Sequence, residues 1–440
     1  MEENPKPLRI VLATNHLQAF TGSELMIATL AHALQSFGHT VLLYAPFVSD
    51  ALFSHRPFLE LQWTDSLAEL KNFDPQVGYT QHHTIAITVR QALPYCPLLH
   101  GILGVLPFLE QPPLHDLALA RMLVLSEEVL RHVERVGPMR GEWTIFRNVI
   151  DDALFNAETE PAHEPKSVVL HSYKLTPPTI NRIYDACATS GLTVIDRRPG
   201  VPGKTKYEEV PSIVREGDIV IASGRSAIEG MCAGRAVIVM ADCGEDGLIT
   251  PNNFDILSHS NFSGRATAQK FTVDGLVAQF KKYDPNSVIE VSNRARQLFG
   301  LSNRRKEIQH LFVAASETTP KRLDMDRDRD FLASTISTIL GFKPSVPSQA
   351  DTFSGIENLV EVGQAAWLAG DTKKALACFW AAFNNNRVDA MALDGLVSLL
   401  LCFLAAANDS KPHERKKALE ALLALNPQNG WATEQLSDLD

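Results

Sequence analysis

Residues 218–241 read DIVIASGRSAIEGMCAGRAVIVMA, and this stretch decides the fold. Residues 218–223 are an apolar, β-branched run, Gly224 breaks it, residues 226–234 have the small and apolar content of a helix, and residues 236–241 are a second apolar run. Strand, tight turn, helix and strand in that order spell one unit of a parallel α/β sheet. Such a turn points the backbone N–H groups of Gly224, Arg225 and Ser226 outward at the helix start. There the helix dipole and the unpaired donors favour an anion such as a diphosphate. Glu229 stands one turn further in, where its carboxylate can accept from the hydroxyls of a sugar attached to that phosphate. The alternative is a glutamate on a solvated helix face. The combination suits a nucleotide, and the carboxylate suits its ribose.

From Glu229 onward the run Glu229-Gly-Met-Cys-Ala-Gly234-Arg-Ala-Val-Ile238 resembles the donor-binding helix of glycosyltransferases of the GT-B fold, in particular the large retaining family GT4. The family carries Glu, small residues, Gly and then Pro-Val-Ile. Here Ala236 stands for the proline. Many members have a second Glu, near the donor sugar, eight positions before the first, where this chain has Ile221. The resemblance implies two Rossmann-like domains that close on a nucleotide-diphosphate sugar, which is the donor substrate, with no separate cofactor and no mandatory metal.

Composition agrees with a chain of this kind. The 440 residues suffice for about three domains, and 45% apolar with 21% charged residues is ordinary for a globular protein. A net charge of −10 argues against nucleic acid as the main partner. No apolar run has the length of a spanning helix, and MEENPKPLRI lacks the pattern of a signal peptide, so a cytoplasmic protein is expected. The cysteines at 96, 187, 232, 243, 378 and 402 have neither close pairing nor metal-ligand spacing and read as free thiols.

Taken in order, residues 9–14 read as a strand. Thr21-Gly22-Ser23-Glu24 opens a helix with Ser23 as its cap, Gly38 closes it, and a strand follows at 39–46. This opening resembles that of GT4, in which the first loop faces the cleft; Gly22 and Ser23 are thereby acceptor-side candidates, with Gly22 equally explained as a backbone device. Strands at 76–81 and 97–101 end near His82, His83 and His100. Ligands bind beyond the C-terminal edges of parallel strands. The family's donor-contacting histidine is matched in position by His100, the catalytic candidate, with His83 as an acceptor-side candidate; a strand-end histidine bonded to backbone is the other reading. Residues 101–114 form an apolar, Pro-punctuated loop that could shape an acceptor pocket, touch a lipid surface at the inner membrane face, or pack under a neighbouring loop. Asn148-Val-Ile-Asp151 resembles the segment that ends the family's N-terminal domain.

A second α/β unit starts at 167–172. The family grips the diphosphate here with a basic pair, for which Lys174 is the obvious match and Arg225, Arg197 or Arg198 could supply the remaining charge. The acidic loop 242–247, with Glu245 and Asp246, is expected to face the donor sugar. Asn261-Phe-Ser-Gly-Arg265 resembles a motif of a subgroup of such transferases, with no role derivable from the letters. Asp324-Met-Asp326 has the letters of a metal motif in an unsuitable charged linker, so no metal site is expected.

Beyond residue 355 the chain changes character. Gly363, Gly370, Ala375, Phe379 and Ala382 follow tetratricopeptide spacing, which suits a protein partner. The expected architecture is thus α/β: a Rossmann-like acceptor-side domain (1–157), a Rossmann-like nucleotide-sugar domain (158–318), a linker (319–355) and a small all-α tail (356–440). The expected activity is transfer of a sugar to a glycan, lipid-linked or protein acceptor. A nucleotide-sugar 2-epimerase, or a non-catalytic GT-B scaffold that binds partners through its tail, are the alternatives.

Overall fold

A computed structural model describes residues 6–105, 108–110, 112–113, 117–136, 143–172, 175–196, 209–267 and 269–319, with isolated positions 359, 362, 374, 378 and 416. The tetratricopeptide-like spacing, the linker and Asp324-Met-Asp326 fall outside the described residues. The chain divides into two compact units, one of Met1–Ser66, Val124–Leu130 and Thr144–Ser316, the other of Leu67–Leu123, Arg131–Trp143 and Glu317–Asp440.

The first unit contains residues 218–241. Ile219–Ala222 and Ala236–Ala241 are strands, and Arg225–Cys232 is the helix between them. Both strands are fully buried along their length, as continuous Val, Ile and Ala content requires of a sheet covered on both faces. They belong to a five-stranded sheet whose order is Thr193–Asp196, Ser167–Leu170, Ile219–Ala222, Ala236–Ala241, Gly244–Leu248. The first four run parallel and the last is antiparallel. The helices Pro177–Ser190 and Val273–Phe280 pack on it through Ile183, Ala186, Cys187, Leu276 and Phe280. Three further parallel strands of this unit, Arg9–Ala13, Thr40–Tyr44 and Gln62–Thr64, pair in the register Arg9 with Thr40 and Leu42 with Gln62. Their helix, Gly22–Gln35, is buried on nearly every side.

Two expectations change here. Thr21, not Ser23, caps the Gly22–Gln35 helix: the sequence T-x-x-E brings Glu24 back onto the Thr21 amide at 3.0 Å, the returning half of a capping box. The expected acidic loop at 242–247 is in large part the edge strand Gly244–Leu248, buried throughout. Its carboxylates are tolerated there because donors remote in sequence reach them, as described below.

In the second unit the strands Val77–Gln81 and Leu98–Ile102 pair in parallel. Gly101 has to be glycine, since a Cβ there would lie 2.1 Å from the Tyr79 hydroxyl. Arg90, on the helix His83–Ala92, is 3% exposed. No helix among the described residues is long and apolar enough to cross a membrane. The five cysteines described form no disulfide, and burial pushes the Cys232 thiol up to about 12.

Candidate functional site

The five-stranded sheet reverses direction at Ser167–Leu170. The next strand in the chain lies on one side of it and the one after that on the other. At such a reversal the connections leave on opposite sides and open a crevice beyond the two strand ends, where ligands of open α/β sheets bind. His171 and Ser172 leave one of these ends, and residues 223–225 leave the other. Topology therefore brings the Arg225–Cys232 helix start to His171.

Gly224 stands at φ 59°, ψ −133°, a conformation closed to side-chain-bearing residues. Its amide donates to the Phe262 carbonyl at 2.8 Å, and its carbonyl accepts from Ala227 and Ile228. Of the three amides expected to face an anion, Gly224 is thus already engaged. Among the described residues, the amides of Arg225 and Ser226 have no acceptor within the protein, and Ser226 is half-buried beside them.

The Arg225 side chain is bonded through all three of its nitrogens. Its Nε donates to Glu229 Oε1 at 3.1 Å, Nη1 to the Val149 carbonyl at 3.0 Å and Nη2 to Thr29 Oγ1 at 3.3 Å. His171 Nε2 meets the other Glu229 oxygen at 3.3 Å, and because a carboxylate only accepts, that nitrogen carries the hydrogen. Glu229 is 2% exposed and Arg225 8%, so the alternative of a solvated helix face does not hold for Glu229. Two charges taken out of water cost several kcal/mol each unless paired and hydrogen-bonded, and these contacts supply the pairing. Two of the roughly four lone-pair positions of the carboxylate are occupied, which leaves it capacity for further donors.

The start of the Gly22–Gln35 helix approaches the same place. A Cβ on Gly22 would lie 4.0 Å from Arg225 Cβ, an ordinary contact, so the two helix starts are neighbours without glycine being required there. Ser23 Oγ lies 3.1 Å from Thr21 Oγ1. Fully buried Glu24 accepts from the amides of Gln18 at 2.6 Å and Ala19 at 2.8 Å, besides Thr21. The loop before this helix is therefore held by its own carboxylate. The T-x-x-E spacing was a readable signal for it. His171 was readable only from strand order, and Thr29 and Val149 carried no signal at all.

Glu245 is fully buried in its strand, with Arg182 Nη2 on one oxygen and the Phe271 amide on the other, each at 2.6 Å. Asp246 accepts from the amide and hydroxyl of Thr267. Both carboxylates expected to read sugar hydroxyls are thus bonded within the protein. Lys174, Arg197 and Arg198 lie outside the described residues.

In the second unit His100 sits inside its strand, two residues before the end, and not at the edge expected of it. It is fully buried; its Nδ1 is 2.9 Å from Thr80 Oγ1 and its Nε2 has no partner. Burial, and then the neighbouring His83, lowers its pKa to about 3. His83 begins the His83–Ala92 helix, with Nδ1 3.2 Å from the Leu109 carbonyl. An unfolded histidine takes its proton near 6.5, so between that value and about 3 the unfolded chain holds a proton that folded His100 refuses. Stability rises with pH across this window and is lost as pH falls through it, by about 1.4 kcal/mol per unit from this residue alone. Urea unfolding from pH 7 to pH 5 is expected to show a steeper loss for the wild type than for His100→Gln, and equal slopes would mean that His100 reaches water.

No family model and no curated protein matches the sequence. Among solved structures, a glycosyltransferase of Rickettsia africae matches with a TM-score of 0.50 at 12% identity, over 71% of this chain and 99% of that one. The fold is that of a GT-B glycosyltransferase. Sucrose-phosphate synthase of Thermosynechococcus elongatus matches with a TM-score of 0.45 at 13% identity, over 70% and 98% of the two chains; the fold assignment rests on the first. Identities this low carry a shared GT-B fold and no more, and function has to be argued from the site.

Proposed function

We propose that this protein is a glycosyltransferase of the GT4 type, which transfers a sugar from a nucleotide-diphosphate donor to an acceptor hydroxyl with retention at the anomeric carbon. The observation that carries the reading is the switch-point crevice, where the open amides of Arg225 and Ser226 lie at the start of the helix that bears Glu229. The amides receive the diphosphate, and the free lone pairs of Glu229 receive the ribose hydroxyls, with Arg225 and His171 orienting that carboxylate. As the bond from the anomeric carbon to the phosphate oxygen breaks, the diphosphate leaves with the electron pair, while the acceptor oxygen bonds to that carbon and its proton passes to the departing phosphate; the helix dipole with two N–H donors stabilises the phosphate charge. Gly22 and Ser23, at the helix start next to Arg225, line the acceptor side. Glu245 acts indirectly, fixing the edge strand through Arg182. The tail, by its repeat spacing, holds a protein partner.

A panel of UDP-, GDP- and ADP-sugars tests this. Release of nucleoside diphosphate with a sugar-bearing product is the expected result for one donor class. Turnover with an altered sugar and no acceptor product would mean an epimerase instead, and saturable binding without turnover a scaffold.

A further inference from the structure

Residues 261–265, singled out in the sequence without a role, adopt a conformation that asks for one. Asn261 and Phe262 stand at φ 53° and φ 52°. Asparagine tolerates the left-handed region, but a bulky aromatic residue there is an outlier, and two in succession reverse the chain sharply. The reversal drives the Phe262 ring into the core, with centroids 5.5 Å from Phe254 and 5.9 Å from Phe299. It also turns the Phe262 carbonyl outward onto the Gly224 amide.

The rest of the segment is tied down on three sides. Asn261 Oδ1 accepts from Asn148 Nδ2 at 3.0 Å, and the residue after Asn148 is Val149, whose carbonyl holds Arg225. Gly264, at φ 88°, lies so close to the Gly244 carbonyl that a Cβ would stand 2.3 Å from that oxygen. Arg265 forms a bidentate pair with Glu128, at 2.8 and 2.6 Å. Strain of this kind persists only where the surroundings over-determine it.

We propose that residues 261–265 are a positioning clasp for the Gly224 turn, with Asn261 and Phe262 as positioning residues for the diphosphate. The inference rests on the donor reading above. By occupying the first amide of the turn, the Phe262 carbonyl fixes the plane of the next peptides, and so the direction of the Arg225 and Ser226 amides. Relaxing residue 261 to negative φ swings that carbonyl away and frees the turn, which a bound diphosphate then has to restore.

The test is calorimetric titration of the full chain with UDP, GDP and ADP, at a temperature where circular dichroism shows each variant folded. Asn261→Ala, which disfavours the left-handed backbone, is expected to weaken binding about ten-fold. Asn261→Gly lacks the carboxamide but takes positive φ freely, and is expected within about three-fold of the wild type. A general loss of stability would not reproduce this order in fully folded samples. Asn261→Ser, a milder form of the same change, replaces Asn261→Ala if that variant does not fold, and is expected to bind more weakly than Asn261→Gly. Wild-type affinity in the alanine or serine variant, or a glycine variant no better than it, overturns the clasp. Failure of all three nucleotides with the wild-type chain overturns the donor reading, and the clasp with it.

Discussion

Glu229→Ala is expected to lose nucleoside diphosphate binding and about 3–5 kcal/mol of stability together. The variant leaves the Arg225 guanidinium 8% exposed, with the Val149 carbonyl and Thr29 hydroxyl as neutral partners and no counter-charge from Glu229. Removing one partner of a buried pair costs that much because the other charge stays out of water. On its own the single variant would confuse a folding defect with a binding defect. The double variant Arg225→Met with Glu229→Met separates them. Replacing a buried pair by apolar side chains of similar volume is commonly neutral, so its urea midpoint is expected within about 1 kcal/mol of the wild type, while calorimetry still finds no binding. A double variant that binds nucleotide normally would remove Glu229 from the site. One as unstable as the single variant would show that Arg225 and Glu229 contribute more than mutual neutralisation.

The second large effect belongs to the second unit. Arg90→Ala is expected to destabilise the second unit by about 4 kcal/mol. Its guanidinium donates to the Leu93, Pro94 and Cys96 carbonyls through Nη1, to Leu117 through Nε and to Ala118 through Nη2. Residues 93–96 and 117–118 are thus held by one side chain, and each loses its donor when that side chain is truncated. Arg90→Lys is expected to recover less than half of the loss. Lysine keeps the charge, but its donors radiate from one atom, whereas the planar fork presents them on three. Urea unfolding measures the total, and hydrogen exchange at 93–96 and 117–118 locates it. A loss under 1 kcal/mol for the alanine variant would mean that water replaces the guanidinium at these carbonyls.

Much of the architecture was legible in the letters. The run expected to be a strand at 236–241 is Ala236–Ala241, and the strands expected at 9–14 and 76–81 are Arg9–Ala13 and Val77–Gln81. Continuous Val, Ile, Leu and Ala content allows a buried parallel strand little else to do. Helix starts moved by one or two residues where a side chain could cap in more than one way, as at Thr21 and Ser23. The edge strand Gly244–Leu248 was misjudged for a different reason. Gly-Glu-Asp-Gly is turn chemistry by local preference, and its extended form depends on Arg182, 63 positions away, to neutralise Glu245.

The site divides along the same line. Gly224 and the helix after it follow from local chemistry: a glycine where the backbone enters a region closed to other residues, then small residues that let a helix sit on a sheet. By itself the sequence determined that an α/β unit with a glycine turn before its helix exists. What surrounds the turn was decided only by tertiary structure, because hydrogen bonds and charge pairing depend on proximity and not on order along the chain. Arg225 reaches Thr29 across 196 positions, and the strand reversal at Ser167–Leu170 brings His171 to Glu229. Burial then turned an ordinary helical glutamate into a clamped carboxylate, which no spacing rule contains.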